Sequence, residues 1–191
     1  MTEMLLLHHI QGLTPGVVAF ADALRAGGHT VHTPDLFEGR TFASIDDGAA
    51  WCRELGFDEV RARGVAAADG LPDGIVVGGI SLGVMAAQQL AQNRPGVRGA
   101  LLYEAFVPPE EFGAWPDGLP VQVHGMDHDP FFGEEGDLEA AQGFVEGREG
   151  AELFVYPGAV HLFTDSSLPS SDVEATRLVI DRSLELLGRV G

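Results

Sequence analysis

Short apolar runs alternate with longer amphipathic segments along the whole chain. The short runs are mostly continuous rather than alternating in polarity, and they span residues 4–9, 29–33, 74–80, 97–103, 120–124 and 151–156. The longer segments repeat their apolar positions at helical spacing, and they span residues 17–26, 51–68, 82–93, 138–149 and 172–188. Continuous apolar strands are typical of a parallel sheet that is covered on both faces. The alternation therefore predicts an α/β fold with a mostly parallel central sheet and helices on both faces.

The length and composition favour a single domain over residues 1–191. Hydrophobic residues make up 45% of the chain and charged residues 21%, as in ordinary folded domains. We find no internal repeat, no low-complexity block and no linker long enough to divide the chain. The segment 104–120 is irregular and follows a predicted strand, so we expect it to overhang the ligand crevice of the sheet.

The charge and the residue counts exclude several classes of function. Eleven basic and 29 acidic residues give a net charge of −18, so we expect neither nucleic acid nor a membrane surface as a partner. All eleven basic residues are Arg, which excludes Schiff-base, P-loop and Ser–Lys chemistry. Cys52 is the only cysteine, so no internal disulfide forms. Together with the lack of a signal-peptide pattern, this predicts a cytoplasmic protein.

The segment from Gly79 to Gly83 reads Gly-Ile-Ser-Leu-Gly, between a predicted strand and a predicted helix. This is the G-x-S-x-G nucleophile elbow of the α/β-hydrolase fold, in which a sharp turn exposes the serine hydroxyl at a helix N-terminus. The glycines are needed because a side chain there would collide with the neighbouring backbone. We interpret Ser81 as a nucleophile; the alternative is a glycine-rich turn that only packs or binds a phosphate.

A serine nucleophile needs a base and an acid, which follow it in the order Ser, Asp or Glu, His. His161 lies in a loop after the last predicted strand, where the base of this fold belongs. The loop after the preceding strand offers two acids, Asp129 and its rival Asp127. The same loop could instead be read as a metal site of His124, Asp127, His128 and Asp129, although we predict no metal there.

Two backbone N–H groups should hold the oxyanion. One is that of Leu82, after the nucleophile, and the other comes from Ile10 or Gln11 in the loop after the first strand. Of the adjacent His8 and His9, we expect one to face the crevice; packing in the core or on the surface is the alternative. We read Cys52 as a passive thiol. An apolar pocket could draw on six aromatic residues, for each of which core packing is the alternative: Trp51, Phe106, Trp115, Phe131, Phe132 and Phe163.

Taken together, these residues resemble the dienelactone hydrolase family of α/β hydrolases. The resemblance rests on five segments along nearly the whole chain, at residues 27–31, 34–36, 79–83, 129–131 and 161–163. It implies a small cytoplasmic hydrolase, monomeric or a homodimer, that acts on small esters or lactones without a cofactor. By position, the triad falls on Ser81, Asp129 and His161, and the oxyanion loop favours Ile10 as the second backbone donor.

The resemblance also suggests where the substrate binds and what kind of hydrolase this is. We expect His9, Gln11, Tyr103 and Phe131 to contact the substrate. The best-known members carry Cys where this chain has Ser81, and Glu where it has His9. We therefore expect a general serine esterase that works through an acyl-enzyme. The alternatives are a thioesterase or acyltransferase of the same fold, and a catalytically silent domain that binds a small ligand.

Overall fold

The computed structural model describes all 191 residues. Its centre is one six-stranded sheet in the order β2-β1-β3-β4-β5-β6, and every neighbouring pair is parallel. The strands are β1 Glu3–Leu7, β2 Thr30–His32, β3 Val76–Ile80, β4 Gly99–Tyr103, β5 Val121–Met126 and β6 Ala151–Tyr156. The helices are α1 Pro15–Ala26, α2 Ile45–Leu55, α3 Phe57–Ala66, α4 Gly83–Asn93, α5 Asp137–Val145 and α6 Val173–Val190, with a short 3-10 helix at Pro109–Glu111.

Helices cover the sheet on both faces, which confirms the predicted α/β architecture. Helices α2 to α5 contribute to one buried cluster of 23 residues, and α1 and α6 contribute to another of 19. Strand β1 shows how the sheet divides them: Leu5 and Leu7 belong to the first cluster, and Met4 and Leu6 to the second. Because successive side chains point to opposite faces, a run of four apolar residues is what a central parallel strand requires.

Two predicted elements are shorter in the structure than the sequence pattern indicates. The segment 51–68 was expected to form one helix, but α2 and α3 meet at Gly56, whose φ of 99° breaks the helical path. The first strand ends at Leu7 rather than at residue 9, so His8 and His9 belong to the loop that follows it. None of the helices combines the length and the apolar character that crossing a membrane requires.

Candidate active site

The turn between β3 and α4 holds Ser81 in a backbone conformation that residues other than glycine rarely adopt. Its φ is 49°, in the left-handed region. The glycines on either side allow the close packing behind this turn, because a Cβ on Gly79 would collide with the backbone of Gly83, and one on Gly83 with the carbonyl of Leu7. The Ser81 N–H donates to the Tyr103 carbonyl at 2.8 Å, which ties the turn to β4. The geometry is that of a nucleophile elbow.

A chain of two hydrogen bonds links Ser81 to His161 and His161 to Asp129. The Ser81 Oγ lies 2.8 Å from His161 Nε2, and His161 Nδ1 lies 2.7 Å from Asp129 Oδ2. Asp129 is completely buried, and its other oxygen accepts from the backbone N–H groups of Phe131 at 2.8 Å and Phe132 at 3.3 Å. These donors hold Oδ1, and Oδ2 is the oxygen that faces His161. The consistent assignment is then that Nδ1–H donates to Asp129 and Nε2 accepts from the Ser81 hydroxyl.

The rival acid, Asp127, points to a different partner. Its Oδ1 accepts from the backbone N–H of Gly158 at 2.9 Å, and this hydrogen bond lowers the pKa of the Asp127 carboxyl. The N–H of His128 donates to the Gly158 carbonyl, also at 2.9 Å. The loop after β5 is therefore bonded to the loop after β6, which carries His161. Geometry pairs Asp129, and not Asp127, with the histidine.

The residues that the sequence also allowed as metal ligands do not converge. His124 lies within β5, where its Nδ1 accepts from the Tyr156 hydroxyl at 2.9 Å and its Nε2 donates to Gln122 at 3.2 Å. Burial lowers the pKa of His124 to about 3, so this ring is neutral. His128 is exposed. Nowhere in the chain do three His, Cys, Asp or Glu side chains stand close enough together to hold a metal ion.

Two backbone N–H groups beside Ser81 have no hydrogen-bond partner in the protein, those of Ile10 and Leu82. Both residues line the same pocket as Ser81 and His161. The neighbouring Gln11 N–H is already used, because it donates to His9 Nδ1 at 3.1 Å. Of the two residues that the sequence offered for the second oxyanion donor, only Ile10 has a free N–H.

A buried Asp–His pair holds the loop that carries Ile10 in place. His9 Nε2 lies 2.8 Å from Asp165 Oδ2, and neither side chain is exposed. Asp165 also accepts from the hydroxyls of Thr14 and Ser167. Burial raises the pKa of Asp165, but hydrogen bonds from His9, Ser167 and Thr14 outweigh it and bring the value to about 2. The ionised Asp165 thus joins the loop after β1 to the segment just after His161.

The expectation that His8 or His9 faces the crevice is wrong. His8 is fully buried; its Nδ1 donates to the His9 carbonyl at 2.8 Å, and its Nε2 accepts from the Leu36 N–H at 3.0 Å. Burial lowers the pKa of His8 to about 4, in keeping with a neutral ring. His9 Nε2 is hydrogen-bonded to Asp165 and does not reach the pocket. Both rings hold loops in place, because each nitrogen has a partner inside the protein.

The pocket at Ser81 has a volume of about 440 Å³. Its wall is mostly apolar and comes from several different elements, with side chains of Ile10, Ile45, Phe57, Met85, Val107 and Phe131. Phe131 packs on the His161 ring, with 4.6 Å between the ring centroids. Glu104, Ala105 and Val107 reach this pocket, as expected of the irregular segment, whereas residues from 108 to 117 border a separate groove whose lining contains no serine, cysteine or histidine.

Of the four residues expected to contact the substrate, only Phe131 lines this pocket. His9 and Gln11 are buried in the loop after β1, and the Gln11 amide donates to the Phe42 carbonyl at 3.0 Å. Tyr103 is fully buried in the sheet, and its hydroxyl lies 2.9 Å from Ser183. The expectation that His9, Gln11 and Tyr103 contact the substrate is therefore wrong. Of the six candidate aromatic residues, again only Phe131 lines the pocket; the other five pack in or against the two cores.

The sequence analysis missed Glu104, which lies directly after β4 and lines the pocket. Its φ is 62°, and its side chain is fully buried. Oε1 accepts from the backbone N–H of Thr164 at 3.1 Å and from its hydroxyl at 2.7 Å, while Oε2 has no partner. Burial raises the pKa of this carboxyl. A charged residue immediately after a fully apolar strand was the available signal.

A parallel sheet covered by helices, with a serine on a strained strand-to-helix turn, defines an α/β hydrolase. The chain belongs to the dienelactone hydrolase family, because the model of that family matches residues 3–191. The resemblance seen in the sequence is thereby confirmed, and the protein is a hydrolase that acts on ester bonds. A comparison with curated proteins finds no match.

Solved structures of other hydrolases share the fold. The protein m3DLH is 20% identical, with a TM-score of 0.79 over 99% of this chain and 86% of its own. P91, a dienelactone hydrolase-like promiscuous phosphotriesterase from metagenomic libraries, is 15% identical, with a TM-score of 0.72 over 100% and 87%. Esterase 2 of Thermogutta terrifontis, phosphoramylated by tabun, is 17% identical, with a TM-score of 0.64 over 100% and 83%. At these identities the likeness shows the fold alone.

Proposed function

We propose that this protein is a serine esterase that hydrolyses small carboxylic esters or lactones through an acyl-enzyme. The observation that carries the proposal is the hydrogen-bonded chain from Ser81 through His161 to the buried Asp129. Nucleophile, base and acid are within hydrogen-bond reach of one another, which is the geometric criterion for such a triad. The free N–H groups of Ile10 and Leu82 supply the two donors that an oxyanion hole needs.

The reaction proceeds in two acyl-transfer steps. Ser81 Oγ attacks the carbonyl carbon while His161 Nε2 takes the hydroxyl proton, and the Asp129 carboxylate stabilises the imidazolium that forms. The N–H groups of Ile10 and Leu82 hold the negative oxygen of the tetrahedral intermediate. His161 then gives its proton to the leaving alkoxide, which departs as the alcohol. Water, deprotonated by His161, attacks the acyl-enzyme and releases the acid and Ser81.

The pocket supports a small substrate that carries no negative charge. A volume of about 440 Å³ lies at the low end of the range for small-molecule sites. Its wall contains no arginine to pair with a carboxylate. A monomer or homodimer in the cytoplasm remains a prediction from the sequence.

A fluorophosphonate probe tests the proposal directly, and the names of P91 and of the tabun-treated esterase make organophosphorus reagents a natural choice. We expect one covalent adduct, at Ser81, found by peptide mass spectrometry. Ser81→Ala should lose the adduct and lower kcat for p-nitrophenyl acetate by at least about 10⁴-fold, because the nucleophile is gone.

The matched control is Ser171→Ala, since the Ser171 side chain has no hydrogen-bond partner and does not line the pocket. This variant should be labelled and should hydrolyse the ester like the wild type. A folded wild-type protein that takes no adduct, or takes it elsewhere, would support a silent ligand-binding domain or a different nucleophile instead. Transfer of the acyl group to a thiol or an added alcohol in preference to water would indicate an acyltransferase.

A further inference from the structure

We propose that Glu104 determines the substrate class of this pocket, because its free oxygen takes an N–H or O–H donor of the substrate. The same site is expected to reject esters that carry a carboxylate. This inference rests on the proposed esterase function, since it concerns the pocket that holds Ser81 and His161. Glu104 is not part of the hydrogen-bonded triad, and the role proposed for it is recognition of the substrate.

The Glu104 carboxyl is only half satisfied inside the protein. Thr164 occupies Oε1 with two hydrogen bonds, but the buried Oε2 has no donor at all. A buried carboxylate oxygen without a donor is unfavourable, and in this protein the Nε of Arg94 is the only other buried side-chain nitrogen or oxygen in that condition. A donor on a bound substrate would supply the missing hydrogen bond and offset the desolvation that raises the pKa of Glu104.

The charge of the pocket wall points to the same class of substrate. Glu104, Glu135 and Asp137 all line the pocket, and no arginine does. Asp137 already accepts from the Phe106 N–H at 2.8 Å, and Glu135 is exposed. Glu104 is therefore the buried acid with an oxygen that has no hydrogen-bond partner. In their ionised form, these carboxyl groups repel a second carboxylate and attract an ammonium group, and a partly desolvated pocket strengthens both effects.

Two aromatic rings make a positively charged donor especially suitable. Phe57 and Phe131 line the pocket with 38% and 37% of their surface exposed. Exposed ring faces attract ammonium groups through the ring quadrupole. An ammonium N–H satisfies both the carboxylate and the rings, whereas a hydroxyl satisfies only the carboxylate. The substrate series below therefore contains both kinds of donor.

The test compares esters of matched size on purified wild-type protein, with acid release followed in a pH-stat. One series varies the acyl end: methyl 3-aminopropanoate, methyl 3-hydroxypropanoate, methyl butanoate and monomethyl succinate. The other varies the alcohol end: the acetates of 3-(dimethylamino)propanol, 1,3-propanediol and butanol. We expect kcat/KM for at least one donor ester to exceed that of the matched alkyl ester by about tenfold or more. The succinate ester should be the slowest of its series by about tenfold.

Glu104→Gln tests the residue itself. The glutamine oxygen can keep both Thr164 hydrogen bonds, but its NH₂ group replaces Oε2 and donates where the carboxylate accepts. The ratio of kcat/KM for the donor ester to kcat/KM for the matched alkyl ester should therefore fall to about one. Glu134→Gln is the matched control, because it removes the same charge from an exposed side chain that does not line the pocket. This control should change the ratio by less than about twofold.

The outcomes separate the two proposals. Wild-type protein that hydrolyses p-nitrophenyl acetate but treats donor and alkyl esters alike in both series overturns the role of Glu104 and leaves the esterase proposal intact. Wild-type protein that hydrolyses no ester and takes no fluorophosphonate overturns the esterase proposal. An unchanged kcat/KM ratio in folded Glu104→Gln, or an equal loss in Glu134→Gln, shows that another feature selects the substrate. The wild-type comparison decides even if Glu104→Gln does not fold.

Discussion

Asp127 and Asp129 are two residues apart in one loop, and the N–H groups that each meets give them different tasks. Asp127 accepts from Gly158 and holds the loop after β6, while Asp129 accepts from Phe131 and keeps one oxygen for His161. The residue pattern supplied both candidates, and only the family resemblance favoured Asp129, because the choice depends on a contact across 32 residues. Side-chain direction at a loop position is set by the fold and not by local spacing.

Asp129→Asn should lower kcat by about 10⁴-fold near neutral pH with little change in KM. An asparagine amide at this position stabilises the wrong tautomer of His161, so that Nε2 carries a proton and cannot accept from Ser81. Asp127→Asn is the control, because its amide oxygen can still accept from Gly158, and we expect less than a tenfold loss. Steady-state kinetics on p-nitrophenyl acetate measures both. Equal losses in the two variants would contradict the assignment of Asp129.

At the scale of elements, the site depends on loops that leave the carboxyl ends of neighbouring strands. The elbow was predictable because strand β3, the glycines and helix α4 are contiguous in sequence. The His9–Asp165 pair was not, since the two residues are 156 positions apart and each looks ordinary in its own segment. The sequence therefore led us to expect His9 to contact the substrate, although it supports the loop that presents the Ile10 N–H.

Asp165→Asn should show that this pair positions the oxyanion loop. In either orientation the asparagine NH₂ meets a donor: the His9 Nε2–H and the Thr14 hydroxyl on one side, or the Ser167 N–H on the other. At least one hydrogen bond is therefore lost, so the loop should shift and the Ile10 N–H should move from its position. Loss of one oxyanion donor lowers kcat by about 10²- to 10³-fold while KM changes little. Thermal unfolding should also show a loss on the order of 2 kcal/mol.

Asp172→Asn is the matched control for Asp165→Asn. Asp172 caps helix α6 through the Ala175 N–H at 2.9 Å, and asparagine caps helices about as well as aspartate. We expect its kcat and its thermal midpoint to stay close to those of the wild type. A folded Asp165→Asn variant with normal kcat would show that the pair is structural only, and that Ile10 needs no support from it.

For the whole molecule, the sequence predicted the architecture well and the pocket poorly, for one physical reason. Strand and helix type follow from local periodicity, and parallel connections follow from their alternation. The pocket wall is instead assembled from residues as far apart as Ile10, Phe57, Met85, Phe131 and His161. Phe57 could not be assigned to it before the loops were placed. Likewise, the break at Gly56 depends on a backbone angle that the apolar pattern does not show.

Two buried neutral histidines should make the whole fold sensitive to mild acid. The pKa of His8 is lowered to about 4 and that of His124 to about 3, in both cases chiefly by burial, from 6.5 in the unfolded chain. Between about pH 6.5 and 4 the unfolded chain therefore binds two protons that the folded protein does not. Linkage then requires the free energy of unfolding to fall with pH, by about 1.4 kcal/mol per pH unit for each histidine. Glu104, whose pKa is raised, acts in the opposite direction and offsets part of this loss.

Urea denaturation of the wild type at pH 7, 6 and 5 measures this slope before most surface carboxylates take up protons. His124→Gln should lower this slope by about 1.4 kcal/mol per pH unit, because one of the two buried rings that stay unprotonated in the folded protein is gone. His128→Gln removes an exposed histidine from the same region and should leave the slope unchanged. A slope in His124→Gln equal to that of the wild type would exclude this ring as a source of the acid sensitivity.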